Sequence, residues 1–180
     1  ISPWLSGSPF QAGPFRITPM LTDHSAFDAY MIQVEIAGKK ILYSGDFRAH
    51  GRKKVLVERM MSLPPKNLDA LIMEGTNLGS DKPCISESAL EEQFVDLFQK
   101  TTGRVFVAWS AQNLDRTVSL YRACKKTGRT LVVDLYTAEV LEMLGEHARI
   151  PQPGWPNLKV VITSRLSEFY RQKGREDVTK

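Results

Sequence analysis

Two residues of this sequence have the type and placement to hold a cation. His24 stands in the polar segment TDHSA, between the strand-like runs FRITPM (15–20) and AYMIQVEI (29–36). Asp46 follows KILYSG (40–45), at a strand end where Gly45 lets the backbone turn sharply. A ring nitrogen and a carboxylate in such loops can bind a metal ion, with neighbouring groups fixing their orientation. Each also has an ordinary explanation: a loop histidine bonded to a backbone carbonyl, and an aspartate that caps a turn. A second group lies in WSAQNLDR (109–116). Asn113 can cap a helix whose free N–H groups favour an anion, and Arg116, one turn in, can fork onto a phosphate. The plainer alternative is an N-cap beside an arginine–carboxylate pair.

The elements that must position these residues are readable from periodicity. AYMIQVEI alternates, with Tyr30, Ile32, Val34 and Ile36 on one face, AGK is a turn, and KILYSG returns. This predicts a hairpin with that face in a core. VLVERMMSLPP (55–65) reads as a helix stopped by prolines, and the apolar run in LDALIMEG (68–75) as a strand buried on both faces. From about residue 85 strands and helices alternate. Helices are expected over 86–103, 113–128 and 137–149, and strands at RVFVAW (104–109), TLVVDL (130–135) and LKVVIT (158–163). Short loops between them imply parallel βαβ units. The closing turn SEFYRQKGREDVTK (167–180) is polar and gives no sign of a completed sheet. The division expected is residues 1–82 for a mostly antiparallel domain and 83–180 for an α/β domain.

Composition narrows the class. Hydrophobic residues at 42% and charged residues at 24% are ordinary for a soluble globular chain, and no apolar run approaches a membrane span. The first residues carry no secretory signal pattern, and Cys84 and Cys124 lack metal or redox spacing, so a reduced, cytoplasmic protein is expected. A net charge of +4 permits an anionic partner without demanding one. The basic clusters RAHGRKK (48–54) and RQKGR (171–175) read first as solvated loops and a helix end, with a nucleic-acid footprint as the alternative. His50 sits in that basic loop, and His147 near a helix C-terminus.

A loop histidine, a hairpin and a strand ending in YSGD resemble the later metal motifs of the metallo-β-lactamase fold. The stretch TDHSAFDAYMIQVEIAGKKILYSGDFRAHGRK is similar to the ribonuclease J and β-CASP branch, which processes nucleic acids. The resemblance continues through EGTNLG (74–79) and the Asn113/Arg116 unit. It implies part of an αββα sandwich followed by a Rossmann-like β-CASP lobe. It implies His24 as a ligand of one zinc and Asp46 as a bridge between two, both serving the hydrolysis of phosphodiesters. Glu74 would then support the site from behind, and Asn113, Arg116 and Ser110 would contact substrate phosphate. Gln112 stands where the family often has Ser. The motif H-x-H-x-D-H is not found in these 180 residues, nor are the late histidines. The expectation is an internal fragment of a zinc-dependent ribonuclease, inactive by itself. RNA or single-stranded nucleic acid would be its partner, there would be no membrane, and the intact protein is a possible homodimer. The alternative is an RNA- or phosphate-binding module without catalysis.

Overall fold

The computed structural model describes residues 4–175. They form two compact units that divide between Ser86 and Glu87. The first is a five-stranded sheet in the order β1-β2-β3-β4-β5. Its strands are β1 (Phe10–Ala12), β2 (Phe15–Leu21), β3 (Tyr30–Ile36), β4 (Lys39–Tyr43) and β5 (Ala70–Ile72). β1 to β4 pair antiparallel, whereas β5 lies parallel to β4 and is reached through helix α1 (Lys54–Ser62). β2, β4 and β5 therefore point the same way, and their C-terminal ends meet at one end of the sheet.

The hairpin β3–β4 forms as its pattern predicts, closed by the two residues Ala37 and Gly38 with Ile36 opposite Lys39. Both turn residues have left-handed φ, 48° and 76°. That is the geometry that matches the twist of the flanking strands. Glycine adopts it freely, whereas alanine is strained there.

Burial differs from the sequence reading in two places. The fully buried strand residues Met31 and Leu42 occupy the face opposite Ile32, Val34 and Ile36, and α1 contributes buried Val57. The alternating apolar face, where Pro19, Ile32, Tyr43 and Ile72 lie in one row across the sheet, is only partly covered. The run ALIM is likewise not buried on both faces, since Leu71 is 53% and Ile72 52% exposed. β5 is an edge strand with one bonded neighbour, so apolar composition alone did not bury it.

The second unit contains α2 (Glu87–Lys100), α3 (Leu114–Lys126), β6 (Leu131–Asp134), α4 (Leu135–Gly145), β7 (Leu158–Val161) and α5 (Ser164–Gln172). β6 and β7 pair in parallel with α4 as the crossover, as the alternation predicts. Leu120, Ala123, Val133, Leu141 and Leu158 form its core. Asp134 caps α4 by accepting from the Thr137 N–H (2.8 Å), and Thr163 caps α5 from Leu166 (3.3 Å). Arg129 closes the end of α2: Nε donates to Phe98 O (3.0 Å), Nη1 to Gly103 O (2.9 Å) and Nη2 to Thr101 O. Cys84 is exposed and Cys124 buried, both as free thiols, and burial pushes the Cys124 thiol up to about 11.

RVFVAW does not form the predicted strand, as no ladder includes it. The polar closing stretch begins within α5, which ends at Gln172 inside the basic cluster 171–175, and its last residues, 176–180, lie outside the described residues. Among the described residues no helix is long and apolar enough to cross a membrane.

The strain at Ala37 yields a measurable expectation. Ala37→Asn should raise stability by about 1 kcal/mol, because asparagine tolerates left-handed φ. A higher urea midpoint with an unchanged slope is the outcome expected.

Candidate functional site

His24, Asp46 and Glu74 follow β2, β4 and β5 by three, three and two residues, so the sheet carries all three to one end. His24 and Glu74 are half-buried and Asp46 is exposed. Gly45 has φ 55°, and a Cβ there would stand a tight 3.1 Å from Tyr30 O, so glycine is favoured between β4 and Asp46. The Ala26 N–H donates to His24 Nδ1 (3.3 Å), so this bond engages Nδ1 and not Nε2.

The loops that bear these residues are tied together by Asp23, which the sequence reading passed over. Its side chain is fully buried. Oδ2 accepts from the Gly51 N–H (2.7 Å) and Oδ1 from the Lys53 N–H (3.2 Å), with Arg48 Nε 4.0 Å from Oδ1. Its own carbonyl accepts from the Arg48 N–H at 2.8 Å. Lys53 Nζ then reaches across to Ala26 O and Phe27 O, 2.6 Å each. The loop after β4 is thereby fastened to the loop after β2. A carboxylate this buried needs such partners to offset its lost hydration. Gly51 leaves it room, for a Cβ there would collide with Asp23 Oδ1 and lie 2.7 Å from Arg48 Nε. The basic cluster 48–54 is thus partly internal, as Arg48 and Lys53 turn inward, and only its rim is solvated surface.

Glu74 supports the Asp46 loop directly. Its Oε1 accepts from the Phe47 N–H (3.2 Å), and its own N–H donates to Ser44 Oγ (3.2 Å). The Phe47 N–H, then the Thr76 hydroxyl, and more weakly the charge of His24 hold the Glu74 carboxyl below its ordinary range.

In the second unit Asn113 is the cap expected of it, accepting from the Arg116 N–H at 3.0 Å. Arg116 is forked onto Glu87, with Nε 3.4 Å from Oε2 and Nη2 3.3 Å from Oε1. Ser119 Oγ adds a 2.7 Å bond to the same carboxylate, which is buried. The plainer arginine–carboxylate alternative is thus present, while the Nη1 side of the guanidinium is not used in that fork. Ser110 is exposed and accepts from the Gln112 N–H (3.3 Å). His50 is half-buried in the loop before α1 and His147 lies just beyond α4.

A catalytic zinc takes three protein ligands and a water. Among the described residues no three His, Cys, Asp or Glu side chains gather to hold an ion. His24 and Asp46 offer two donors, one short of that set.

No family model matches the sequence. Among solved structures the chain is similar to a protein of unknown function from Enterococcus faecalis V583, with a TM-score of 0.68 and 20% identity. The match covers 90% of this chain and 41% of that one, so these residues span less than half of the neighbour's length. The fold is thereby shared: mixed α/β, with a mostly antiparallel sheet and a small parallel one.

Two outcomes test this geometry. Gly51→Ala should destabilise the first unit by about 1–3 kcal/mol, because the added Cβ would push the buried Asp23 carboxylate away from its backbone donors; an unchanged denaturation midpoint would contradict this Asp23 latch between the two loops. Glu74 has a depressed pKa, so its contribution is present above the ordinary value near 4.3 and is lost as pH falls below it. Melting temperatures of wild type and Glu74→Gln should differ at neutral pH and converge on acidification.

Proposed function

We propose that these residues are part of a zinc-dependent hydrolase of nucleic-acid phosphodiesters, with RNA as the leading substrate. The convergence of His24, Asp46 and Glu74 at one end of the sheet carries the reading. In it His24 and Asp46 supply two metal ligands, Glu74 braces the Asp46 loop, and residues of a longer polypeptide supply the other ligands. Bound zinc would polarise phosphate and activate water. The half-covered apolar sheet face fits a second sheet packed on it, as an αββα sandwich requires. Asn113 and the Nη1 side of Arg116 would bind phosphate in the α/β unit, with Ser110 nearby.

The two-donor set favours a second reading, a module that binds RNA or phosphate without catalysis. Both are tested with the longest polypeptide that contains these residues. The hydrolase reading expects zinc-dependent cleavage of single-stranded RNA, reduced at least about 100-fold in His24→Ala and Asp46→Ala. The binding reading expects no cleavage, with salt-sensitive RNA binding that weakens in Arg116→Ala. Neither cleavage nor binding would overturn both.

A further inference from the structure

The second unit holds a cavity of about 670 Å³ that none of Ser110, Asn113 and Arg116 lines. Its walls are mostly apolar: Phe98 of α2, Leu120 and Cys124 of α3, Leu131 of β6, and Val105 and Val107 from the segment before α3. Protein interiors seldom leave so large a gap, whereas small-molecule sites fall in this size range and have walls of this kind. Phe106 stands at the mouth, 90% exposed.

Two guanidinium groups give the cavity its sign. Arg104 and Arg129 both line it, and no Asp, Glu or His does. Arg129 is held by carbonyls of Phe98, Gly103 and Thr101. These partners are neutral, so they fix the group and leave its charge uncompensated. That charge is felt inside, for burial raises the Cys124 thiol and Arg129 opposes the rise. Arg104 is exposed at the rim and has no ion-pair partner among the described residues. The lining offers little to hydrogen-bond a sugar or a base. Thr130 is its one hydroxyl, and the Trp109 Nε1–H is engaged by Thr117 Oγ1 at 3.0 Å.

We propose that this cavity binds an anionic amphiphile, an alkyl chain with one carboxylate head of the fatty-acid type. The chain lies against Val105, Val107, Leu120 and Leu131, where it displaces water from apolar walls. The head stays at the rim beside Arg104, and the charge of Arg129 favours the same sign. An uncharged hydrocarbon matches the walls without the charges, and a nucleotide matches the charges without the walls. The site uses neither His24 nor Asp46, so it stands or falls independently of the hydrolase reading.

Calorimetric titration of the longest polypeptide that contains these residues with sodium alkanoates, kept below micelle formation, tests the assignment. From octanoate to dodecanoate, each added methylene should tighten binding about fourfold, the worth of one buried CH₂. Arg104→Gln should weaken dodecanoate about two- to fivefold and leave dodecanol unaffected. Val107→Trp fills the cavity and should weaken both at least about tenfold, with circular dichroism unchanged. In methyl NMR spectra dodecanoate should shift Val105, Val107, Leu120 and Leu131, a readout that needs no variant. Absence of dodecanoate binding, dodecanol bound as tightly as dodecanoate, or shifts confined to the first unit would overturn the assignment.

Discussion

The carboxylate of Asp23 is the constraint on which the first unit depends. It sits wholly out of solvent, so it must be bonded, and its nearest donors belong to a loop nearly thirty residues further along the chain. Satisfying it pulls Gly51 and Lys53 against the end of β2, and Lys53 in turn engages Ala26 and Phe27. The loop bearing His24 and the loop bearing Asp46 are thereby held to a common frame. Glu74 adds the third loop through Phe47. The sheet brings three strand ends together, and these buried polar contacts fix the loops that leave them.

The second unit uses the same economy at different places. Glu87, the first residue of α2, is buried and is answered by Arg116 and Ser119 of α3, while Arg129 answers carbonyls at and just beyond the end of α2. Arg116 is thus held rigid by one edge of its guanidinium. A fixed arginine loses less side-chain entropy on meeting a phosphate than a free one. This is why the ion pair with Glu87 and the proposed phosphate role are compatible.

Much of this was legible in the sequence, and the rest was hidden for physical reasons. The hairpin, α1 to α4 and the parallel pairing of β6 with β7 followed from periodicity and caps, because those signals are local. Asn113 announced itself as a cap for the same reason. Asp23 did not, because its partners are remote and a single Asp before His24 carries no periodicity; its only signal is Gly51, a small residue where a side chain could not fit. β5 and RVFVAW were misread because apolar composition reports what could be buried, whereas burial depends on which neighbours are present. The chain spans 41% of the neighbouring structure, and an edge strand reads like a central one in isolation.

Amide hydrogen exchange of Gly51, Lys53 and Phe47, resolved by NMR, puts the Asp23 latch to the sharpest test. These three N–H groups lie in loops, outside every strand and helix, and are bonded to the carboxylates of Asp23 and Glu74. The latch predicts that all three are protected in the wild type, and that Asp23→Ala releases Gly51 and Lys53 together. Free exchange of Gly51 and Lys53 in the wild type would contradict it, for the loops bearing His24 and Asp46 would then not be held together.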